Sequence, residues 1–145
     1  MTEASLFHNR ILILTVLSGL LIQALKVFLV YLKERRLNFR IFVQTGGMPS
    51  SHCASVATLS TLVGLRQGLD SPLFAVTAFF SFIVMYDAAG LRRAAGRQAM
   101  VLNRIMEDLK LGKMGDTRLR ELLGHTPVEV LVGALFGIAF ALVFA

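Results

Sequence analysis

The sequence predicts an all-α fold, a polytopic membrane helical bundle of about four transmembrane helices plus an amphipathic cytoplasmic helix. Three observations predict it. Apolar residues make up 55% of the 145 residues, and the mean hydropathy is +0.68. The apolar segments each run close to the ~20 residues needed to cross about 30 Å of hydrocarbon. Basic residues gather in alternate connections between those segments. At this length the chain reads as one domain, residues 1–145.

The first span, Ile11 to Leu32, has a longer apolar run than a signal peptide, and no small-residue cleavage site follows it, so it reads as a retained helix. Lys26 interrupts it about two turns before its end. That ammonium can snorkel to the surface along its stem or reach an anion site inside. The stretch "GGMPSSHCAS", residues 46–55, comes next. Gly46 and Gly47 permit a tight turn, and Pro49 suits a helix's first turn, where a missing N–H costs nothing. Ser50, Ser51 and His52 then lie at a helix N-terminus, where unpaired N–H groups and the helix dipole favour an anion such as phosphate. A loop followed by an ordinary N-cap is the plainer alternative.

The second span runs from Ser51 to Leu69 and is interrupted late by Arg66; the third runs from Pro72 to Gly90. Leu91 to Leu123 is too charged to span. Within it Met100, Leu102, Ile105, Met106 and Leu109 recur at helical intervals, which predicts an amphipathic helix on the membrane or under the bundle, ended by Gly112 and Gly115. The fourth span is Pro127 to Ala145. There is no internal repeat or low-complexity tract. The lone Cys53 excludes an intramolecular disulfide and reads as a small packed residue.

The net charge of +6 raises nucleic acid as a partner, but its distribution favours a membrane. Lys33, Arg35, Arg36 and Arg40 follow the first span, and Arg92, Arg93, Arg97, Arg104, Lys110, Lys113, Arg118 and Arg120 lie between the third and fourth. The other connections hold Arg10 and Arg66 alone. This asymmetry puts both basic loops in the cytoplasm and both termini outside, where the loops would attract anionic headgroups. No nucleic-acid module or aromatic-interleaved basic patch is present.

With that topology, His52 and His125 fall at the same membrane face, each at the entry to a span, and Arg92 and Arg93 close the third span there. Two histidines, arginines and two helix N-termini at one depth form a candidate phosphate site. Glu129 follows His125 by four residues, so the two side chains share a helical face. A carboxylate on one imidazole nitrogen fixes the tautomer and leaves the other nitrogen nucleophilic. A salt bridge from Glu129 to a loop arginine is the structural alternative. Asp87, near Arg92, reads as a tether for an arginine. No acidic cluster suits magnesium and no His/Cys set has zinc spacing, so no metal and no cofactor is expected.

"MPSSH", "YDAAGLRRAAGRQAMVLN" and "GHTPVEVLVGALFGI", together with "QALK" at 23–26, resemble the divergent, YuiD-like branch of the phosphatidic acid phosphatase type 2 and vanadium haloperoxidase superfamily. The resemblance covers nearly the whole chain. Of the superfamily's motifs, K-x6-R-P, P-S-G-H and S-R-x5-H-x3-D, the second is matched by "PSSH", with Ser51 for glycine. The end of the third is matched by "HTPVE", with Glu129 for aspartate. No R-P follows Lys26, so Arg35, Arg36 or Arg40 would replace that arginine. "GLRR" at 90–93 stands in for S-R, with Arg118 and Arg120 as alternatives.

The resemblance implies a phosphatase-type site that hydrolyses a lipid-linked phosphomonoester or diphosphate, such as a phosphatidic acid or a polyprenyl diphosphate. It makes His125 the nucleophile through a phosphohistidine, Glu129 its orienter and His52 the general acid. Lys26, Arg92, Arg93 and the N–H groups of Ser50 and Ser51 would hold phosphate oxygens. The expected location is the inner, cytoplasmic membrane, multi-pass, with the site facing the cytoplasm; self-association is left open. A non-enzymatic lipid-phosphate carrier or scaffold retaining the pocket is the alternative, favoured by the missing R-P.

The charge asymmetry makes a direct prediction. In a Cys53→Ser background, a cysteine at position 104 should react with an impermeant thiol reagent only after the membrane is opened. Labelling from outside intact cells would overturn the orientation.

Overall fold

In the computed structural model, residues 8–35, 48–109, 119, 121 and 124–145 are described, and among them every regular element but a short 3-10 turn is an α-helix. The five helices are α1 (Arg10–Glu34), α2 (Ser51–Gln67), α3 (Pro72–Ala89), α4 (Leu91–Asp108) and α5 (Pro127–Phe144). Their limits match the expected segments closely, because the caps are written locally. Asn9, Ser50, Ser71 and Thr126 each accept a first-turn N–H through the side chain. Pro72 and Pro127 occupy first-turn positions. Gly68, at φ 89°, ends α2 in a conformation that side chains disfavour.

Three stretches are long and apolar enough to cross a membrane: Arg10–Leu32, Pro72–Asp108 and Pro127–Phe144. The expected second span, α2, has 17 residues, is not among these three stretches and is the central helix. It packs on α1, α3 and α5, and Ser51, Ala54, Ala57, Thr58 and Gly64 are among its buried residues. A helix surrounded by other helices has little need of the apolar surface that lipid requires. The outer faces of the other helices are apolar and exposed, as at Leu12, Val16 and Phe28 of α1, Phe79 and Phe82 of α3, and Leu131 and Leu135 of α5. These are the faces a bilayer covers.

The inward stripes hold polar and small residues among the apolar ones. On α1 the stripe is Leu14, Ser18, Ile22 and Lys26, one residue in four. On α5 it is Gly133, Gly137 and Ala141. Close backbone approach explains those glycines: a Cβ at Gly133 would stand 2.5 Å from the Ser50 carbonyl oxygen, and one at Gly137 would collide with the Ala54 carbonyl. The Thr58 hydroxyl donates to the Gly137 carbonyl at 3.1 Å across the same seam. Ser81 of α3 likewise donates to the Val56 carbonyl of α2 at 2.8 Å.

The expected amphipathic helix is α4, which follows α3 after a break at Gly90. It begins at Leu91, where the segment too charged to span begins, so Arg92 and Arg93 open α4 rather than close α3. Gly96, Ala99 and Asn103 form its buried side, whereas Leu91, Val101, Leu102, Ile105 and Leu109 are exposed. It ends at Asp108; Gly112 and Gly115, expected to end it, lie outside the described residues.

The α2–α5 seam yields a stability prediction. Gly137→Val should lower the melting temperature in detergent by an amount equivalent to about 1–3 kcal/mol of overpacking. Leu135→Val on the exposed face should stay within about 0.5 kcal/mol. Equal melting temperatures for the two variants would refute the close approach.

Candidate functional site

The start of α5 organises the polar end of the bundle. Thr126 is its N-cap and Glu129 its third residue, and together they form a capping box. The Glu129 N–H donates to the Thr126 hydroxyl at 3.3 Å, and the Thr126 N–H donates to Glu129 Oε2 at 3.2 Å. The same carboxylate oxygen meets His125 Nδ1 at 3.0 Å. His125 is 5% exposed. The pairing expected from the four-residue spacing is present, but by a different route. His125 precedes the N-cap, so the two side chains do not share a helical face; Glu129 folds back over the helix start and catches the ring there.

Three backbone ties fix this start relative to the other helices. The His125 N–H donates to the Ala88 carbonyl at the end of α3, at 2.9 Å. The Ser50 N–H donates to the Glu129 carbonyl at 3.2 Å, which joins the N-terminus of α2 to that of α5. Gly124, at φ 86°, lies directly over the α4 backbone, where an added Cβ would stand 2.5 Å from the Arg93 nitrogen and 2.9 Å from the Arg92 carbonyl carbon. No residue with a side chain fits that crossing without displacement.

Charged groups converge on the same end. Lys26 is 4% exposed, at the end of the inward stripe of α1, and lies within electrostatic reach of Glu129. Of its two expected placements the structure takes the inner one. His52, exposed at the start of α2, lies within electrostatic reach of Arg92, His125 and Lys26. Arg92 also acts at Cys53, and its Nε donates to Asp87 Oδ2 at 2.9 Å. The expected tether is thus formed, between half-exposed side chains.

Not every expected group is placed alike. The Ser50 N–H, expected to face an anion, is engaged by the Glu129 carbonyl, because the glycine seam brings α5 into hydrogen-bonding range. The buried Ser50 hydroxyl accepts from the Cys53 N–H at 3.4 Å as an N-cap. The N–H groups of Ser51 and His52 are first-turn donors, which have no acceptor within their own helix. Arg93 enters the site through its backbone under Gly124, and its side chain is exposed. Arg35 caps the end of α1. Arg36, Arg40, Arg118 and Arg120, the other candidates for the superfamily's arginines, lie outside the described residues.

Two features of this end of the bundle have a local signature in the sequence. "TPVE" is a threonine-x-x-glutamate capping signature, and "GALFG" is a small-xxx-small pattern of the kind that brings membrane helices together. A third, Asn103, carries no comparable local signal. Its side chain is buried among the turns of α4 and bonds to residues sixteen and eighteen positions further on.

The chain is 45% identical over 135 residues to an uncharacterized membrane protein, YuiD, of Bacillus subtilis (strain 168), an alignment that covers 85% of each chain. No solved structure matches it. The family model described as the divergent PAP2 family matches residues 7–140. With nearly the full length matched, and with the helical membrane architecture described above, this protein belongs to the divergent PAP2 family of membrane proteins.

Proposed function

We propose that the protein hydrolyses a lipid-linked phosphomonoester or diphosphate at the cytoplasmic face of the inner membrane, through a phosphohistidine on His125. The observation that carries this reading is the 3.0 Å contact between His125 Nδ1 and Glu129 Oε2, with Lys26 in electrostatic reach of Glu129 and with His52 in electrostatic reach of His125, Lys26 and Arg92. A neutral imidazole whose Nδ1–H is held by a carboxylate presents the Nε2 lone pair. A site that only binds anions has no use for that arrangement.

In the proposed reaction, Nε2 attacks phosphorus, a P–N bond forms and the bond to the leaving oxygen breaks. His52 gives the leaving oxygen its proton. Water then attacks the phosphohistidine while His52 accepts a proton from it, and the P–N bond breaks to release phosphate and regenerate His125. Glu129 stabilises the imidazolium character that His125 acquires. Lys26, Arg92 and the N–H groups at the start of α2 offset the charge on the equatorial oxygens. Arg93 sits beside them as a further cation for an incoming headgroup. The apolar outer faces support a substrate whose tail stays in the bilayer.

The second reading, a lipid-phosphate carrier or scaffold, draws on the Arg92–Asp87 ion pair, which partly neutralises an arginine of the site. Two measurements separate the readings. Orthovanadate should raise the melting temperature of the purified protein in detergent, since an anion bound only by the folded state stabilises it by mass action. Stabilisation without phosphate release from any lipid phosphate would favour the carrier, and no stabilisation would remove both.

The roles of the two histidines make a sharper prediction. His125→Ala should abolish turnover and phosphoenzyme for every substrate. His52→Ala should slow hydrolysis of an alkyl phosphate by about 10²–10⁴-fold, the usual worth of a general acid, and act far more mildly on an aryl phosphate whose leaving phenol is already acidic. Glu129→Gln should fall between them, because it keeps the cap geometry and removes the charge. Phosphoenzyme formed by the His125→Ala protein would reverse the assignment.

A further inference from the structure

We infer that Asn103 is a positioning residue, which sets the place of His125 by holding the chain that leads to it against α4. The inference rests on His125 as the reacting group proposed above. Asn103 is 3% exposed, and every polar atom of its amide is engaged. Nδ2 donates to the Leu119 carbonyl at 2.9 Å and to Glu121 Oε1 at 2.7 Å, and Oδ1 accepts from the Leu119 N–H at 3.0 Å. The side chain thus pairs with both backbone groups of Leu119, as a neighbouring strand would.

The clamp matters because of where the chain goes next. Gly124 crosses the α4 backbone at Arg92 and Arg93, and the His125 N–H binds Ala88 just beyond. Asn103 and Arg93 are ten residues apart on one helix, about 15 Å along its axis. Leu119 and Gly124 are five residues apart, a reach of at most about 17 Å. The two described anchors are five residues apart in the chain and both rest on α4, so the Leu119 clamp bears on the place of Gly124, and Gly124 on that of His125. A buried amide with all its bonds made can be released only by leaving polar groups unpaired, which suits a fixed strut better than a hinge.

The experiment uses the whole protein in detergent, labelled with nitrogen-15 histidine. The wild-type protein should show a slowly exchanging Nδ1–H resonance for His125, assigned by its loss in His125→Ala. In Asn103→Ala that resonance should broaden or disappear, while the resonance of His8, just before the start of α1, stays unchanged. Phosphate release should lose on the order of 10²-fold in kcat, the scale set by a misplacement of about 1 Å, with KM altered little. Asn103→Asp keeps the size of the side chain and the acceptor for the Leu119 N–H, but sets a carboxylate against Glu121. It should show the same loss, and adding Glu121→Gln should recover much of it by restoring a donor. That pair serves where Asn103→Ala does not fold.

An unchanged His125 resonance in a folded Asn103→Asp protein would overturn the inference. So would a double variant no better than the single one. The resonance needs no substrate, so if the wild-type protein releases no phosphate while the Asn103 variants still show these spectral changes, the hydrolase reading fails and the clamp stands.

Discussion

The polar end of this bundle depends on how closely α5 approaches α2. Lipid chains are as apolar as leucine, so membrane helices gain little by hiding leucines from them and gain more by close van der Waals and hydrogen-bond contact. Gly133 and Gly137 allow that contact, since an added Cβ at either would run into a carbonyl of the α2 segment. The approach in turn permits the bond from the Ser50 N–H to the Glu129 carbonyl. It locks the two helix starts at one depth. A slide of α5 by four residues would leave a glycine at one of these two places and bring Glu129 or Ala141 to the other, where a Cβ meets a carbonyl of the α2 segment.

Once the helix starts are fixed, Glu129 is placed to act on three groups at once. It completes the capping box with Thr126, holds Nδ1 of His125 and faces Lys26. A lysine facing lipid at the middle of a span costs on the order of 3 kcal/mol, and an uncompensated ammonium within a dry bundle is also disfavoured. The inward position of Lys26 is therefore tolerable because a carboxylate stands near it. The capping box makes that carboxylate available in one orientation. Local helix chemistry and the electrostatics of the site are met by a single side chain.

The far side of the site is set by backbone rather than side chains. The break at Gly90 turns the chain from α3 into α4, exposing the Ala88 carbonyl to the His125 N–H and the Arg92–Arg93 backbone to Gly124. Arg92, in the first turn of α4, then lies within electrostatic range of His52 and Cys53 while its Nε donates to Asp87. Asn103 joins the other end of α4 to the chain that returns to α5. Although α4 packs on α3 alone among the described helices, it bears on the histidine through these backbone contacts.

The sequence by itself determined the helices, their limits and the membrane class, because hydropathy, caps and turn residues act within a few positions of one another. It also placed His52, His125 and Glu129 near one another, since charge bias assigned the two histidines to one face and four residues separate His125 from Glu129. It could not choose between the two placements of Lys26, because a stem that snorkels and a stem that points inward have the same local sequence. Only the tertiary structure decided that choice, the engagement of the Ser50 N–H, the place of Arg92 at the head of α4 and the grip of Asn103 on Leu119. The physical reason is that each of these is a contact between segments far apart in the chain, fixed by which backbones can approach. Thr58 and Gly137, bonded at 3.1 Å, are 79 residues apart, and no local window contains both.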